Sequence, residues 1–243
     1  MKLLSFASRN VKELLRDPLT AFFGAGFPVL LLCILNLIER NVPQSPFSLT
    51  SLTPGMAVFG LSFFSLFSGM LISKDRSSAF LQRLFASPMR ASDFIFGYTL
   101  PLLPLAVLQC TLVYAAAFLL GMPATVRILP AILCILPMSV FHIALGLLAG
   151  SVFTDKQVGG LCGALLTNLC AFLSDSWLPL SVMGKGFRAF ANCLPFVHSV
   201  ELGRIQLGGT SAPIGTHLAV VCAYAAVTSV FAVALFRRKM RNP

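Results

Sequence analysis

Six apolar runs divide this chain, and each is long enough to cross the hydrocarbon core of a bilayer as a helix. They lie near residues 21–38, 54–73, 94–120, 128–153, 157–173 and 216–236. About 20 apolar residues in a helix span the roughly 30 Å of hydrocarbon. Of the 243 residues, 57% are hydrophobic and 11% are charged, which is too apolar for one soluble core. We therefore predict an all-α integral membrane protein with six transmembrane helices.

The chain starts with a basic amphipathic segment that precedes the first apolar run. Placed on a helix, residues 2–17 form one apolar stripe opposite a basic face, and only Phe6 and Ser8 fit this pattern poorly. The stripe comprises Leu4, Ala7, Val11, Leu14 and Leu15, and the basic face comprises Lys2, Arg9, Lys12 and Arg16. Helices of this kind lie in the membrane interface. Residues 1–18 are therefore predicted as an interfacial helix, whose functional residues would be Arg9, Lys12, Arg16 and Asp17.

A cleaved signal peptide is the alternative interpretation of this start. Glu13 and Asp17 disrupt the basic region that such a peptide needs, the apolar run is too long, and no small-residue cleavage site follows. Pro18 instead suits the first turn of a new helix, where its missing N–H needs no partner. The segment is thus expected to stay with the protein.

The basic residues are distributed unequally between the two sides of the predicted membrane. Of the 18 Lys and Arg residues that give the net charge of +10, thirteen flank the spans on the side of the termini and five lie on the other side. Positive charge in short flanks is retained in the cytoplasm. We predict that both termini are cytoplasmic and that the protein is a multi-pass protein of the cell membrane.

Two segments outside the six spans have helical character. Residues 74–93 form a hairpin in which Phe80, Leu81, Leu84 and Phe85 recur at helical spacing before Pro88 ends the pattern. The hairpin would either lie on lipid headgroups or present a short helix to a soluble partner, whose motion it would transmit to both flanking spans.

The second segment, residues 174–213, is half apolar but is interrupted by Pro179, Pro195 and Pro213, so it cannot cross the membrane. Residues 197–207 have helical character, Glu201 and Arg204 are spaced to pair at i,i+3, and a glycine pair at 208–209 ends the pattern. We expect this segment to dip into the outer leaflet or to cap a cavity.

The sequence contains no motif for metal or nucleotide chemistry. Six of the seven cysteines lie in apolar runs and none forms a C-x-x-C pair, so they are interpreted as small apolar residues of a helical bundle. No G-x-x-x-x-G-K-[ST] motif occurs, so the chain has no phosphate-binding loop of its own. We expect no metal site and no enzymatic activity in this chain.

The glycine spacings at 146–150 and 159–163 both match G-x-x-x-G, which permits close approach of helices. Packing within one subunit is favoured over a dimer contact. No internal repeat or linker is evident, so residues 1–243 are expected to form a single transmembrane domain.

In this order, the features resemble the membrane (permease) subunit of type-2 ABC exporters, most closely those that export drugs and antibiotics. The Arg16–Asp17–Pro18 break, followed by Phe22, Phe23 and Phe27–Pro28, resembles the family's start of the first span. Residues 84–90, Leu-Phe-Ala-Ser-Pro-Met-Arg, resemble its coupling-helix motif, and Gly97 stands where the family often has glycine. Asn192 to Gly208 resembles its extracellular re-entrant segment.

The sequence departs from the family's pattern at two positions. The acidic residue that often follows the second span could correspond only to Asp75, within Lys-Asp-Arg. Tyr98 stands where a lysine commonly follows the glycine.

The resemblance implies a minimal transporter of two permeases, identical or homologous, and two cytosolic ABC ATPase subunits, with ATP and Mg²⁺ bound only by the ATPases. It also implies roles for particular residues. The ATPase would couple through Phe80, Leu81, Arg83, Leu84, Phe85, Pro88 and Met89. The re-entrant segment would depend on Pro195, Glu201 and Arg204.

The family's second and fifth spans line the space between subunits. By resemblance, the translocation pathway would be lined by Ser62, Phe63, Ser65, Phe67, Ser68, Thr167, Asn168 and Phe172. Hydroxyls among aromatic rings suit an amphiphilic substrate. In the alternative interpretation, the serines and threonine bond to their own helix and the phenylalanines face lipid.

The resemblance implies that an amphiphilic small molecule, antibiotic, peptide or lipid is exported by alternating access. Export of a lipid-linked polysaccharide by the same machinery is an alternative, as is a proton-coupled carrier without an ATPase. A carrier would need paired intramembrane charges, and His142 has no acidic partner in its span. A membrane enzyme would need a convergent catalytic group, whereas His142, His198 and His217 are predicted at different depths.

Overall fold

The structure is a computed structural model that describes residues 2–41, 48–78, 91–209 and 212–241. These residues contain helices and no strand. Six helices among them are long and apolar enough to cross a membrane, which confirms the predicted class and number of spans. The helices extend beyond the apolar runs by a few residues, because helical hydrogen bonding continues into the polar flanks.

The helices are numbered in chain order. The first, α1, covers Lys2–Arg16, and the spans that follow are α2 (Pro18–Asn41), α3 (Leu49–Ser77), α4 (Ala91–Leu119), α5 (Ile128–Val152) and α6 (Asp155–Leu173). Two shorter helices, α7 (Lys185–Asn192) and α8 (Pro195–Gln206), precede the last span, α9 (Ile214–Arg241). Helix α1 and the last turns of α9 lie at the same end of the bundle, where Phe94 of α4 contacts Phe6 and Phe236. We call this end the terminal side and the other end the distal side.

The break between α1 and α2 is a helix cap. Asp17 is extended, and its carboxylate accepts hydrogen bonds from the Leu19 N–H at 3.2 Å and the Thr20 hydroxyl at 2.8 Å. Pro18 occupies the first helical position, as predicted. After one turn, α2 widens into a π-helical segment, Phe22–Gly26, which the sequence pattern did not indicate.

Helix α3 is the centre of the bundle. It packs against α2, α4, α5, α6 and α8. In its most apolar stretch of 18 residues, 89% of the residues are buried. A β-carbon on Gly146 would lie 2.1 Å from the Ser65 carbonyl oxygen, and one on Gly150 would lie 2.2 Å from the Gly69 carbonyl oxygen. This G-x-x-x-G therefore packs α5 against α3 within one subunit, as predicted.

The second G-x-x-x-G lies in α6, in a π-helical segment, Gly159–Leu166. Here a β-carbon on Gly159 would meet open space. A β-carbon on Gly163 would lie 3.2 Å from the Leu66 side chain of α3. Of this second motif, only Gly163 therefore contributes to close packing within the protomer.

The distal segment between α6 and α9 folds into two helices, of which α8 packs against α3, α5 and α9. A β-carbon on Gly203 would lie 2.6 Å from Pro54, so α8 lies directly on the distal end of α3. The helix ends at Gln206, two residues before Gly208, whose φ of +82° is disfavoured for other residues. The glycine pair therefore follows the helix end, as predicted. Helix α7 was not predicted.

Candidate functional site

On the terminal side, a buried carboxylate joins three helices. Asp75, in the last turn of α3, is 1% exposed. It accepts hydrogen bonds from both terminal nitrogens of Arg9 in α1, at 2.7 Å and 2.5 Å, and from the Tyr98 hydroxyl in α4 at 2.7 Å. A bidentate guanidinium and a phenol satisfy most of the acceptor sites of a carboxylate. We call Arg9, Asp75 and Tyr98 the clamp.

The charge of the clamp is balanced despite its burial. A second carboxylate, that of Glu13, lies one turn along α1 and pairs with Arg9 at 2.9 Å. The hydrogen bond to Asp75 raises the pKa of the Arg9 guanidinium above its ordinary value, while partial burial opposes this shift. Arg9 therefore stays charged at any physiological pH, and the clamp does not depend on a titration.

The orientation of α1 that makes the clamp possible comes from a buried face of its own. Phe6 packs edge-to-face on Tyr98 with ring centroids 5.0 Å apart, and the Asn10 side-chain amide donates to the Gly97 carbonyl at 3.0 Å. A β-carbon on Gly97 would lie 2.3 Å from Phe6. Glycine at this position therefore lets α1 lie directly on α4.

This packing corrects the predicted apolar stripe of α1. Phe6 and Asn10 are 6% and 0% exposed, whereas Leu4 and Leu15 are each 65% exposed. Of the predicted stripe, Ala7 and Leu14 are buried as well, at 5% and 4% exposure, whereas Leu4 and Leu15 are left outside the protein. Phe6, which fitted the simple pattern poorly, is the residue that anchors α1.

The residue after Asp75 ties the same turn of α3 to α5. Arg76 donates to the carbonyl oxygens of Ser151 at 2.5 Å and Phe153 at 2.6 Å. Ser151 lies in the last turn of α5 and Phe153 directly follows the helix, where backbone carbonyls lack partners within the helix. Adjacent side chains therefore hold the end of α3 against α1, α4 and α5.

The clamp lies at the base of the predicted coupling hairpin, residues 74–93, of which we call residues 79–90 the coupling segment. The predicted coupling residues Phe80, Leu81, Arg83, Leu84, Phe85, Pro88 and Met89 lie outside the described residues. The described chain reaches Ser78 on one side and resumes at residue 91 on the other. Both ends of the segment are thus joined to helices that the clamp holds.

The other residues predicted for the interfacial helix differ in position. Lys12 and Arg16 are exposed, whereas Asp17 caps α2. That α1 lies in the membrane interface stays a prediction.

The predicted pathway residues of α3 are enclosed within the protomer. The hydroxyls of Ser62 and Ser65 donate to backbone carbonyls three residues earlier, at 2.6 and 2.7 Å, and Ser68 also donates to the Ile143 carbonyl of α5 at 3.0 Å. Phe63 and Phe67 are 4% and 5% exposed. The serines therefore bond as in the alternative interpretation, but the two phenylalanines are buried in protein and do not face lipid.

The predicted pathway residues of α6 divide into two groups. Thr167 is buried and donates to the Gly163 carbonyl at 2.6 Å. Asn168 is exposed, although its amide donates to the Ala164 carbonyl at 2.8 Å, and Phe172 is 38% exposed. Only the last two, beside Leu165 and Leu169, lie on an open face of α6. The pathway role of all eight residues stays a prediction.

On the distal side, an ion-pair group holds α8 in place. The Arg204 guanidinium pairs with Glu201 at 2.9 Å, as the i,i+3 spacing predicted, and also with Asp175 at 2.6 Å. It further donates to the Asp175 carbonyl at 2.8 Å. Asp175 has a φ of +60°, an unfavourable conformation for a residue with a β-carbon. Pro195 is buried at the first position of α8.

The histidines correct one prediction. His198 and His217 do not lie at separate depths, because their Nδ1 atoms are 2.8 Å apart. His198 Nε2 lies 2.9 Å from the Asn192 carbonyl, so it donates there and its Nδ1 accepts from His217. His142 is buried in α5, with Nδ1 3.0 Å from the Met138 carbonyl.

Sequence reasoning found Asp75, Tyr98 and Arg9 separately but not their contact. Asp75 and Tyr98 were noted as departures from a family pattern. In the structure, the Tyr98 hydroxyl donates a hydrogen bond to the Asp75 carboxylate. The available signal was a lone acidic residue near the end of a span, which requires a cationic partner when buried. Arg9 was instead placed on the basic face of an interfacial helix.

Six apolar helices and the packing described here define a multi-pass membrane protein. Residues 1–207 match the family described as ABC-2 type transporter, and the chain belongs to this family. The predicted resemblance is thereby confirmed. The family's membrane subunits work with an ABC ATPase subunit and do not themselves hydrolyse ATP, so this chain is a transport permease.

Two curated relatives match along most of their length. The chain is 25% identical over 231 residues to Nodulation protein J of Bradyrhizobium diazoefficiens, which covers 93% of this chain and 85% of the relative. It is 23% identical over 229 residues to Nodulation protein J of Rhizobium meliloti, with the same coverage.

Proposed function

We propose that this chain is the membrane subunit of an exporter that moves an amphiphilic small molecule, antibiotic, peptide or lipid out of the cytoplasm or the inner leaflet. A separate ABC ATPase would bind ATP and Mg²⁺ and drive alternating access. The observation that carries this proposal is the clamp. It joins both helices that flank the coupling segment to α1.

The clamp gives a physical route for force. When the ATPase moves residues 79–90, the ends of α3 and α4 must follow, because Asp75 is hydrogen-bonded to Tyr98. Arg9 and Phe6 make α1 follow as well, and Arg76 adds α5. One displacement at the coupling segment would therefore move four helices together, which is what a rigid-body change in accessibility requires.

This route requires the terminal side to be cytoplasmic. The charge asymmetry supports that orientation, since thirteen of the basic residues flank the terminal side. The exposed Lys12, Arg16 and Lys74 around the clamp are part of this excess.

We further propose that two permeases assemble with two ATPases and that the open face of α6 contributes to the pathway between them. Leu165 and Leu169 are 54% and 41% exposed there, beside Asn168 and Phe172. A mostly apolar surface with one amide suits an amphiphile better than a strongly polar solute.

Export of a lipid-linked polysaccharide is less well supported. Sugar binding would be favoured by a track of exposed aromatic rings on the distal side. Phe190 of α7 is 57% exposed, but Trp177 packs on Phe59 and Phe172, with ring centroids 5.4 and 6.3 Å apart. Trp177 therefore helps to fix the distal segment and offers little surface for stacking.

The test is reconstitution of the permease with its ATPase in lipid vesicles. Stimulation of ATP hydrolysis by the permease should be lost in Phe85→Asp, because a carboxylate would replace an apolar contact with the ATPase. The matched control is Phe190→Asp, at a side chain that is 57% exposed on the distal helix α7 and that should not touch the ATPase. Equal ATPase stimulation in both variants would contradict the proposal.

A further inference from the structure

A cleft runs from the terminal surface into the apolar part of the bundle, between α1, α2 and α3. It has three adjoining chambers. The outer chamber, of about 1000 Å³, shares Glu13, Asp17 and Lys74 with a narrow middle chamber. The middle chamber shares Leu14, Thr20 and Phe67 with an inner chamber of about 150 Å³. The shared residues place the three chambers side by side, with a middle chamber of about 20 Å³, and we call them together the cleft.

The outer chamber carries uncompensated positive charge. Its cations include Lys12, Arg16 and Lys74, and none of the three makes an ion pair with a carboxylate of the described residues. The two acidic residues in the chamber are already engaged, since Glu13 pairs with Arg9 and Asp17 caps α2. All eight Asp and Glu residues of the chain lie within the described segments. The cleft therefore attracts an anion from outside the chain.

The inner chamber is apolar. Its lining residues are Leu14, Leu15, Thr20, Ala21, Gly24, Ala25, Phe64, Phe67, Leu105, Leu108 and Gln109. The π-helical segment of α2 forms one wall, where a β-carbon on Gly24 would lie only 3.1 Å from the Phe67 ring. Nine of these eleven residues are apolar, and a mostly apolar cavity of about this volume accepts hydrocarbon. It suits a segment of an acyl chain.

We propose that this cleft binds one anionic glycerophospholipid of the leaflet on the terminal side. Its phosphate lies beside Lys12, Arg16 and Lys74. One acyl chain passes Leu15 and Phe67 and ends in the inner chamber. The site is independent of the exported substrate, and a bound lipid would connect α1 to α2 and α3 beside the clamp, because Arg9 also lines the outer chamber.

The cleft distinguishes this site from general attraction to a charged surface, because headgroup and chain contacts are combined. The proposal therefore makes two separate requirements. Loss of the cations should weaken binding of anionic lipids only, whereas filling of the inner chamber should weaken binding of any diacyl lipid.

The experiment is native mass spectrometry of the detergent-purified permease titrated with dioleoyl phosphatidylglycerol, and in parallel with dioleoyl phosphatidylcholine. Lys12→Gln with Lys74→Gln should lower the affinity for phosphatidylglycerol about 30-fold, from about fivefold per surface cation. The affinity for phosphatidylcholine should stay within about twofold, since neither lysine is needed for the acyl chain. Both lysines are exposed, so the variant is expected to fold.

The control for charge is Lys156→Gln with Arg237→Gln, which removes two exposed cations outside the cleft. An equal loss of phosphatidylglycerol binding in this control would overturn the proposal, because binding would then follow net charge alone. For the inner chamber, Ala25→Phe should weaken binding of both lipids, whereas Ala223→Phe, on an exposed position of α9, should not.

A competition measurement separates a lipid from a free anion. Inorganic phosphate at millimolar concentration should not displace phosphatidylglycerol, because it makes no contact with the inner chamber. Full displacement would overturn the lipid assignment in favour of a simple anion site. Retention of both affinities in Ala25→Phe would overturn it as well.

Discussion

Asp75 accepts both terminal nitrogens of Arg9, at 2.7 Å and 2.5 Å, although the two residues are 66 positions apart and lie in different helices. The carboxylate is almost fully buried, whereas the Arg9 side chain is 37% exposed. The contact fixes α1, which the sequence describes only as an amphipathic segment, at the end of α3. The stability and the coupling of the protein should both depend on it.

The first prediction concerns the charge balance of the clamp. Arg9→Met should lower stability by about 2 kcal/mol, because Asp75 would lose a charged hydrogen-bond partner while remaining buried. This cost is below the 3–5 kcal/mol typical of breaking a fully buried pair, since water reaches part of Arg9. Thermal unfolding of the purified permease in detergent measures the effect.

The control is the double variant Arg9→Met with Asp75→Asn. It should be more stable than Arg9→Met alone, because an amide in place of the carboxylate leaves no unpaired buried charge. The loss of stability in the double variant can be compared with the sum of the losses in Arg9→Met and Asp75→Asn measured singly. If the two were equal, Arg9 and Asp75 would contribute independently and the clamp would not be a coupled unit.

A second prediction concerns the close contact of α1 with α4. Gly97→Ala should displace α1, since the new β-carbon would lie 2.3 Å from the Phe6 ring, and overpacking of this kind costs about 1–3 kcal/mol. Permease-stimulated ATP hydrolysis should fall with it. Gly215→Ala is the control, because a β-carbon there meets open space. Limited proteolysis between α1 and α2 would report the displacement directly.

Glycine packing between α3 and α5 gives a third prediction. Gly146→Ala should destabilise the protein by at least about 1–3 kcal/mol, because the new β-carbon would meet the Ser65 carbonyl oxygen, a backbone atom that cannot rotate away. Gly160→Ala should be neutral or stabilising, as nothing lies within 4 Å of that position. Equal unfolding temperatures for the two variants would contradict the close packing of α3 on α5.

The fourth prediction compares the two carboxylates that bind Arg204. Glu201→Gln should cost only about 0.2–0.5 kcal/mol, the usual size of a pair within one helix. Asp175→Ala should cost about 2–3 kcal/mol, since it removes a charged hydrogen bond and leaves alanine at a φ of +60°. Asp175→Asn should fall between them, because asparagine tolerates this conformation. Unfolding midpoints in that order would support the assignment; the reverse order would contradict it.

Much of the fold followed from local pattern. The six spans, the break between α1 and α2 and the end of α8 were predicted, because each depends on residues close together in sequence. The pairing of Glu201 with Arg204 was found for the same reason. The second carboxylate that binds Arg204, that of Asp175, was missed. It lies 29 residues away in sequence, and its contact with Arg204 depends on how α8 packs on α3.

The candidate site was predicted less completely. Ser62, Ser65 and Ser68 were assigned to a pathway from their spacing and their resemblance to a family, but the protomer encloses them between α3 and α5. A span that is apolar on all sides has no periodic signal to indicate which face meets protein. The choice between protein and lipid was therefore open until the neighbouring helices were placed.

The sequence by itself determined the number of spans, their approximate ends and the unequal charge of the two sides. It could do so because the bilayer requires each span to satisfy its own backbone hydrogen bonds over a fixed length. The tertiary structure alone decided that Phe6 and Asn10 bury one face of α1 and that Asp75 meets Arg9 and Tyr98. Those contacts join residues far apart in the chain. In a membrane, hydropathy does not distinguish one apolar face of a helix from another, so close packing between helices decides which faces meet.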